Sequence, residues 1–168
     1  MRDLRRKCIS RSDRGFILGC CGFFVVRLGD SLATWELPLT VKKVDTDQRL
    51  VFGFLSVSKD EHGHLIVDAQ DDYIEPEELE KAVYNYNLFA RNAGDMHHRV
   101  GVGRLVESMC FTKEKAAALG IAPGILPECA WWVGYKVDDD ETWSRIKSGE
   151  YSAFSIGGTG RRIEDHAR

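Results

Sequence analysis

The sequence predicts an α+β fold, a mostly antiparallel sheet or small barrel with helices packed around it, and three observations carry that expectation. Strand-like runs dominate the chain from residue 39 to 157. Segments with helical spacing interrupt them without regular βαβ alternation. A length of 168 residues suits one hydrophobic core.

Taken in order, Leu39–Val44 and Leu50–Ser58 are rich in β-branched and aromatic residues, with the turn formers Asp45-Thr46-Asp47 between them. His62-Gly63-His64 turns the chain into Leu65–Val67. Pro76 suits the first turn of a helix, and Glu75, Glu77 and Glu78 complement its positive end. Leu79, Val83, Tyr86 and Phe89/Ala90 recur at helical spacing, and Gly94 is the expected stop. Gly103–Phe111 reads as a strand, with Leu105, Glu107, Met109 and Phe111 on one face and Val106, Ser108 and Cys110 on the other. Thr112–Leu119 reads as a short helix capped by Thr112 and ended at Gly120. Ala130–Val137 is strongly β-prone. Asp138–Lys147 reads as a helix opened by acids and closed by Ser148-Gly149. Tyr151–Gly157 is strand-like and leads into a glycine-rich turn. The organisation expected is a poorly packed extension over 1–35, a folded domain over 36–160, and a charged tail over 161–168.

Composition removes several function classes. A formal net charge of −3 gives no overall reason to expect nucleic acid. The basic residues Arg2, Arg5, Arg6, Lys7, Arg11 and Arg14 read as a solvated arm. Five cysteines lack metal-ligand spacing, so reduced thiols are expected. The apolar run 16–26 is too short to span a membrane, and Arg27 and Asp30 spoil its outline of a secretory signal. There is no phosphate loop and no HExxH, and Gly101-Val102-Gly103 lacks the third glycine of a dinucleotide fingerprint. No cofactor, metal or membrane partner is expected.

Two places could carry chemistry. Ser155 lies in Ala153-Phe154-Ser155-Ile156-Gly157, close to a nucleophile elbow, but too little chain follows for the acid and histidine of an α/β-hydrolase. A strand serine backed by an earlier histidine fits the order of residues, the imidazole taking and returning the Oγ proton. Gly157 and Gly158 would let backbone N–H groups approach an oxyanion. The plainer reading is a strand residue before a turn. His97-His98 stands between a helix and a strand, where functional side chains often sit; a solvent-exposed pair is the plainer reading. His62 and His64, with Asp68, Asp71 and Asp72, have no recognised ligand spacing and read as an exposed hairpin tip.

Five stretches then occur together: VFGFLSVSKD, VDAQDDYIEPEELEKAVYNY, GDMHHRVGVGRLVESMCFTKEK, WWVGYKV and WSRIKSGEYSAFSIGG. In this order, over about residues 39–160, they resemble the XkdF-like phage serine proteases, relatives of the prohead maturation proteases. The resemblance implies an assemblin-like fold, a small closed β-barrel wrapped by helices. It implies His97, after Met96, as the base and Ser155 as the nucleophile. The implied role is cleavage of scaffold and major capsid protein inside an immature shell in the cytoplasm of a bacterial host. Portal is a further partner, and self-association is compatible with it. Related proteases place an orienting residue on a later strand; here only Glu164, Asp165 and His166 lie downstream, and a shortened copy or a charged tail is the competing account. A non-enzymatic assembly protein that binds scaffold or portal is the alternative function.

Overall fold

One strand organises burial in this protein. Along β8 (Cys129–Val137), Trp131, Val133, Tyr135 and Val137 are buried and point to one face, as a two-residue period dictates. The computed structural model describes residues 6–10, 23–24, 41–67, 72–95, 99–154, 156 and 160–164, with the backbone alone for 6–10, 23–24 and 160–164. In chain order the elements are β1 (Arg6–Ser10), β2 (Phe23–Phe24), β3 (Val41–Asp45), β4 (Leu50–Lys59), β5 (Asp72–Ile74), α1 (Pro76–Phe89) and β6 (Asn92–Asp95). They continue with β7 (Arg99–Thr112), α2 (Lys113–Ala118), β8, α3 (Asp140–Lys147), β9 (Ala153–Phe154) and β10 (Gly160–Glu164).

The architecture is α+β. Strands β3, β4, β8, β7 and β6 lie side by side, each antiparallel to its neighbour. The sheet continues through β2, parallel to β6, to β9, antiparallel to β2. A second sheet runs β10-β1-β5. The buried face of β8 receives α1 through Leu79, Ala82, Val83 and Tyr86, and the same core cluster holds Trp143 and Ile146 of α3. Burying side chains of this size contributes roughly 1.5–3 kcal/mol each, so this face dominates stability. Its polar atoms are paired. The Tyr86 and Tyr135 hydroxyls lie 3.0 Å apart, the Tyr86 hydroxyl donates to Asn92 O at 2.8 Å, and Trp131 Nε1 donates to Ser108 Oγ at 2.9 Å. Tyr86 also meets Trp131 edge-on at 5.1 Å.

The described strands form an open sheet with β3 and β9 at its edges, where a closed barrel was expected. Among the described residues β9 contributes only two paired residues, β3 is irregular between Val41 and Lys43, and no strand ladder joins these two edges. The edges nevertheless touch: Val41 N–H donates to Ser152 O at 2.8 Å.

Local chemistry explains the helix ends. Thr112 caps α2 by accepting from Lys115 N at 3.3 Å, and Gly120 follows with φ 73°. Asp139 caps α3, its Oδ2 accepting from Thr142 N at 2.8 Å and from Thr142 Oγ at 2.7 Å. Three sequence expectations need correction. Gly94 lies inside β6, opposite Val100, and does not stop α1. The stop is Arg91, whose φ of 58° turns the chain while its N–H bonds back to Tyr86 O at 3.2 Å. Phe89 is 73% exposed and off the buried stripe; Ala90 packs on the core in its place. Leu105 does not share a face with Glu107 and Met109, because the β7–β8 register shifts between Leu105 and Glu107. That bulge flips the alternation, and Leu105 joins Ser108 and Cys110 opposite the inward residues of β8.

Of residues 1–35, expected as a loose extension, β1 pairs with β10 and β5, and β2 with β6 and β9. The others, including the rest of the apolar run, lie outside the described residues. Within the stretch expected as a charged tail, β10 pairs with β1 in register from Gly160↔Ser10 to Glu164↔Arg6. No helix among the described residues is long and apolar enough to cross a membrane.

Candidate active site

His97, Ser155, Gly157 and Gly158 lie outside the described residues, as do His98, Asp165 and His166. The structure does describe the strands that lead to them. β6 ends at Asp95, two residues before His97, and β7 begins at Arg99, opposite Asp95. β9 ends at Phe154, immediately before Ser155. Only β2 separates β6 from β9, and Phe23 is in register with both Asp95 and Phe154. Asp95, Phe23 and Phe154 therefore form one row across the sheet, with about 10 Å between its ends at ~4.8 Å per strand. Glu164, the remaining downstream candidate, ends β10 in the other sheet.

A hydrogen-bonded network joins Asp95, at one end of this row, to Tyr151, three residues before the other end. Asp95 is buried at 5% exposure and Tyr151 at 1%. The Tyr151 hydroxyl donates to Asp95 Oδ1 at 2.7 Å and accepts from Arg145 Nη1 at 2.6 Å. Those directions are forced, since a guanidinium only donates and a carboxylate only accepts. Burial, then the Asp95 carboxylate, push the Tyr151 hydroxyl above its ordinary range, and Arg145 opposes them. Arg99 Nη1 reaches Asp95 Oδ2 at 3.5 Å, while its Nη2 donates to Asp139 at 2.5 Å. Arg145 Nη2 donates to Glu141 at 2.6 Å on the preceding turn of α3. The arrangement anchors α3, the start of β7 and the approach to β9 to a single buried carboxylate.

Asp95, Tyr151 and Arg145 escaped the reading of sequence, although the segments GDMHH, WSRIK and SGEYSAFSIGG contain them. The available signal was an acid two residues before the candidate base and a tyrosine four before the candidate nucleophile. His62 and His64 are exposed around Asp60, whose Oδ1 accepts from both backbone N–H groups at 2.9 and 2.8 Å. Asp60 thus closes a turn, its carboxyl held low by those bonds and by the His64 ring against a desolvation that raises it. Cys110 and Cys129, on adjacent strands, are buried free thiols.

Comparisons with known proteins bear on this frame. Residues 38–164 match the family model described as "Putative phage serine protease XkdF". The chain is 31% identical over 130 residues to the uncharacterized protein YqbD of Bacillus subtilis (strain 168), covering 77% of this chain and 37% of that protein. It is 28% identical over 133 residues to the phage-like element PBSX protein XkdF of the same organism, covering 77% of this chain and 44% of the relative. The chain thus spans less than half the length of these curated relatives. No solved structure matches it significantly. With the family model running from the start of the five-strand sheet to the end of β10, the chain belongs to the XkdF phage serine protease family.

Proposed function

We propose that this chain is a serine endopeptidase of phage head assembly that cleaves scaffold and major capsid protein, with Ser155 as nucleophile and His97 as general base. In this reading Ser155 Oγ attacks the scissile carbonyl while His97 takes its proton and delivers it to the leaving amine. The N–H groups near Gly157 and Gly158 receive the oxyanion. Glu164, Asp165 and His166 remain the downstream candidates for an orienting third member. The chain would work inside the assembling prohead in the bacterial cytoplasm, on an assemblin-like barrel completed beyond the described strands. The hydrogen bond between Val41 and Ser152, which brings the two sheet edges together, supports that closure.

The observation that carries the proposal is the row Asp95–Phe23–Phe154. Consecutive Cα atoms are ~3.8 Å apart, so Ser155 starts one step, and His97 two steps, from the ends of a ~10 Å row. Such spacing is within reach of a nucleophile–base pair. Co-expression with a scaffold and capsid protein tests the assignment. Ser155→Ala and His97→Ala should each abolish cleavage, and the double variant should be no worse than either, because the two act as a unit. His98→Ala should retain most activity, since the family resemblance assigns the base to His97 and not to its neighbour. Cleavage by Ser155→Ala would sink the protease reading and leave a binding role toward scaffold or portal.

A further inference from the structure

We infer that the Tyr151–Asp95 hydrogen bond, steadied by Arg145, is a positioning device that locks the segment carrying the base to the strand carrying the nucleophile. The inference rests on the serine-protease reading and adds to it a pair of residues that touch neither substrate nor the reacting atoms. Asp95 precedes His97 by two residues and Tyr151 precedes Ser155 by four. Their 2.7 Å bond is a side-chain link between β6 and the approach to β9, across the two-residue β2.

The placement argues for more than packing. A phenylalanine at 151 would bury the same ring, so the hydroxyl is not needed to fill the core. It is buried nonetheless, with its single proton committed to Asp95 and its lone pair to Arg145. Asp95 in turn faces Arg99, its partner across the strand pair that flanks residues 96–98. Both ends of the segment bearing His97 are therefore tied to the carboxylate that Tyr151 holds. On the other side, Ser152 O receives Val41 N–H one residue after Tyr151, so the approach to β9 is fixed from two directions. Nucleophilic attack needs the base within about 3 Å of the hydroxyl, and displacement of one segment by about 1 Å can cost on the order of 100-fold in rate.

The test uses the full chain and a fluorophosphonate reagent. Ser155 Oγ forms a bond to phosphorus, fluoride leaves, and the Oγ proton passes to the base. Maximal labelling rate and half-saturating concentration are measured separately, with peptide mapping to locate the adduct. Tyr151→Phe and Asp95→Asn should each lower the maximal rate by roughly 10- to 100-fold while half-saturation stays within about twofold. The double variant should be no slower than the slower single. A purely structural role would lower the melting temperature and leave the rate below it untouched; a wild-type rate in Tyr151→Phe overturns the inference. Losses that multiply in the double variant overturn it as well. If the buried variants do not fold, Arg145→Gln at its half-exposed position should slow labelling in the same direction, and a wild-type rate there is equally fatal. Absence of any label on Ser155 in the unaltered chain removes the protease reading itself, and the positioning role with it.

Discussion

Gly134 lies where β8 passes between β4 and β7, opposite Phe52 on one side and Glu107 on the other. A Cβ there would stand 2.7 Å from two carbons of the Phe52 ring and 3.2 Å from Glu107 Cβ. Phe52 is 7% exposed, so its ring has little room to swing away. Its face is also covered by Lys43, whose ammonium sits 5.4 Å from the ring centre. Overpacking of this kind costs about 1–3 kcal/mol. Gly134→Ala should therefore lower the melting temperature clearly, and shortening Phe52 in the same chain should recover part of the loss. The coupling comes from a double-mutant cycle, and additive effects would show that the ring moves freely. Nothing in the sequence marked this glycine, because its neighbours come from strands some eighty and thirty residues away in the chain.

Among the elements, those whose ends depend on neighbouring residues were legible. Thr112, expected as a cap, accepts the N–H three residues on, a purely local bond. The sequence opens α3 at Asp138, and the acid that caps it is Asp139. Gly120 and Gly149 adopt the positive φ that ends their helices. What depended on a distant partner was not legible. The bulge at Val106 exists only because β7 pairs two residues against one of β8, and Arg91 replaced Gly94 as the stop of α1 so that β6 could start early enough to meet β7. Asp139 allows a test at this scale. The Thr142 N–H and hydroxyl, then Arg99, hold its carboxyl below the ordinary aspartate range, with desolvation opposing them. A group depressed in the folded state stabilises above its unfolded pKa and loses that contribution as pH falls through the folded value. Asp139→Ala should cost about 1 kcal/mol near neutral pH, as N-cap losses do. Asp139→Asn keeps an acceptor for the cap and removes the charge that strengthens the Thr142 bonds and that Arg99 meets. The gap between wild type and Asp139→Asn in thermal melts should thus narrow as pH drops below ~4. A gap that is constant from neutral to acid pH would show that the charge of Asp139 contributes nothing.

At the scale of the whole molecule, most of the core and most of the candidate site come from different elements, with Tyr151 and Phe154 shared between them. The core cluster is built mainly from β4, α1, β7, β8 and α3, which the sequence marks by β-prone composition, helical or alternating spacing and acidic helix starts. Ala93 of β6, Tyr151, and Phe154 of β9 complete it. The candidate site is assembled at the far end of the sheet, where β2 and β9 have two residues each and the order β6-β2-β9 brings together segments more than fifty residues apart. Short strands of this kind leave little periodic signal, and so His97 and Ser155 came from resemblance while Asp95 and Tyr151 went unnoticed. The division predicts the effect of removing residues 1–35. That deletion takes away β1, which joins β10 to β5, and β2, through which β9 is attached to β6. The pairings among β3, β4, β8, β7 and β6 survive it, as do the contacts of α1 and α3 on the inward face of β8. Thermal unfolding should therefore remain cooperative, with a midpoint within about 5 °C of the full chain, a shift worth on the order of 1–2 kcal/mol for a domain of this size. Reactivity of Ser155 toward a fluorophosphonate should fall far more than stability, because β9 loses its hydrogen-bonded neighbour while the tethers at Tyr151 and Ser152 and the packing of Phe154 on Tyr135 hold its approach in the core. Loss of a cooperative transition in the shortened chain would mean that β1 and β2 belong to the folding unit, and an unchanged labelling rate would mean that β9 holds its place without β2.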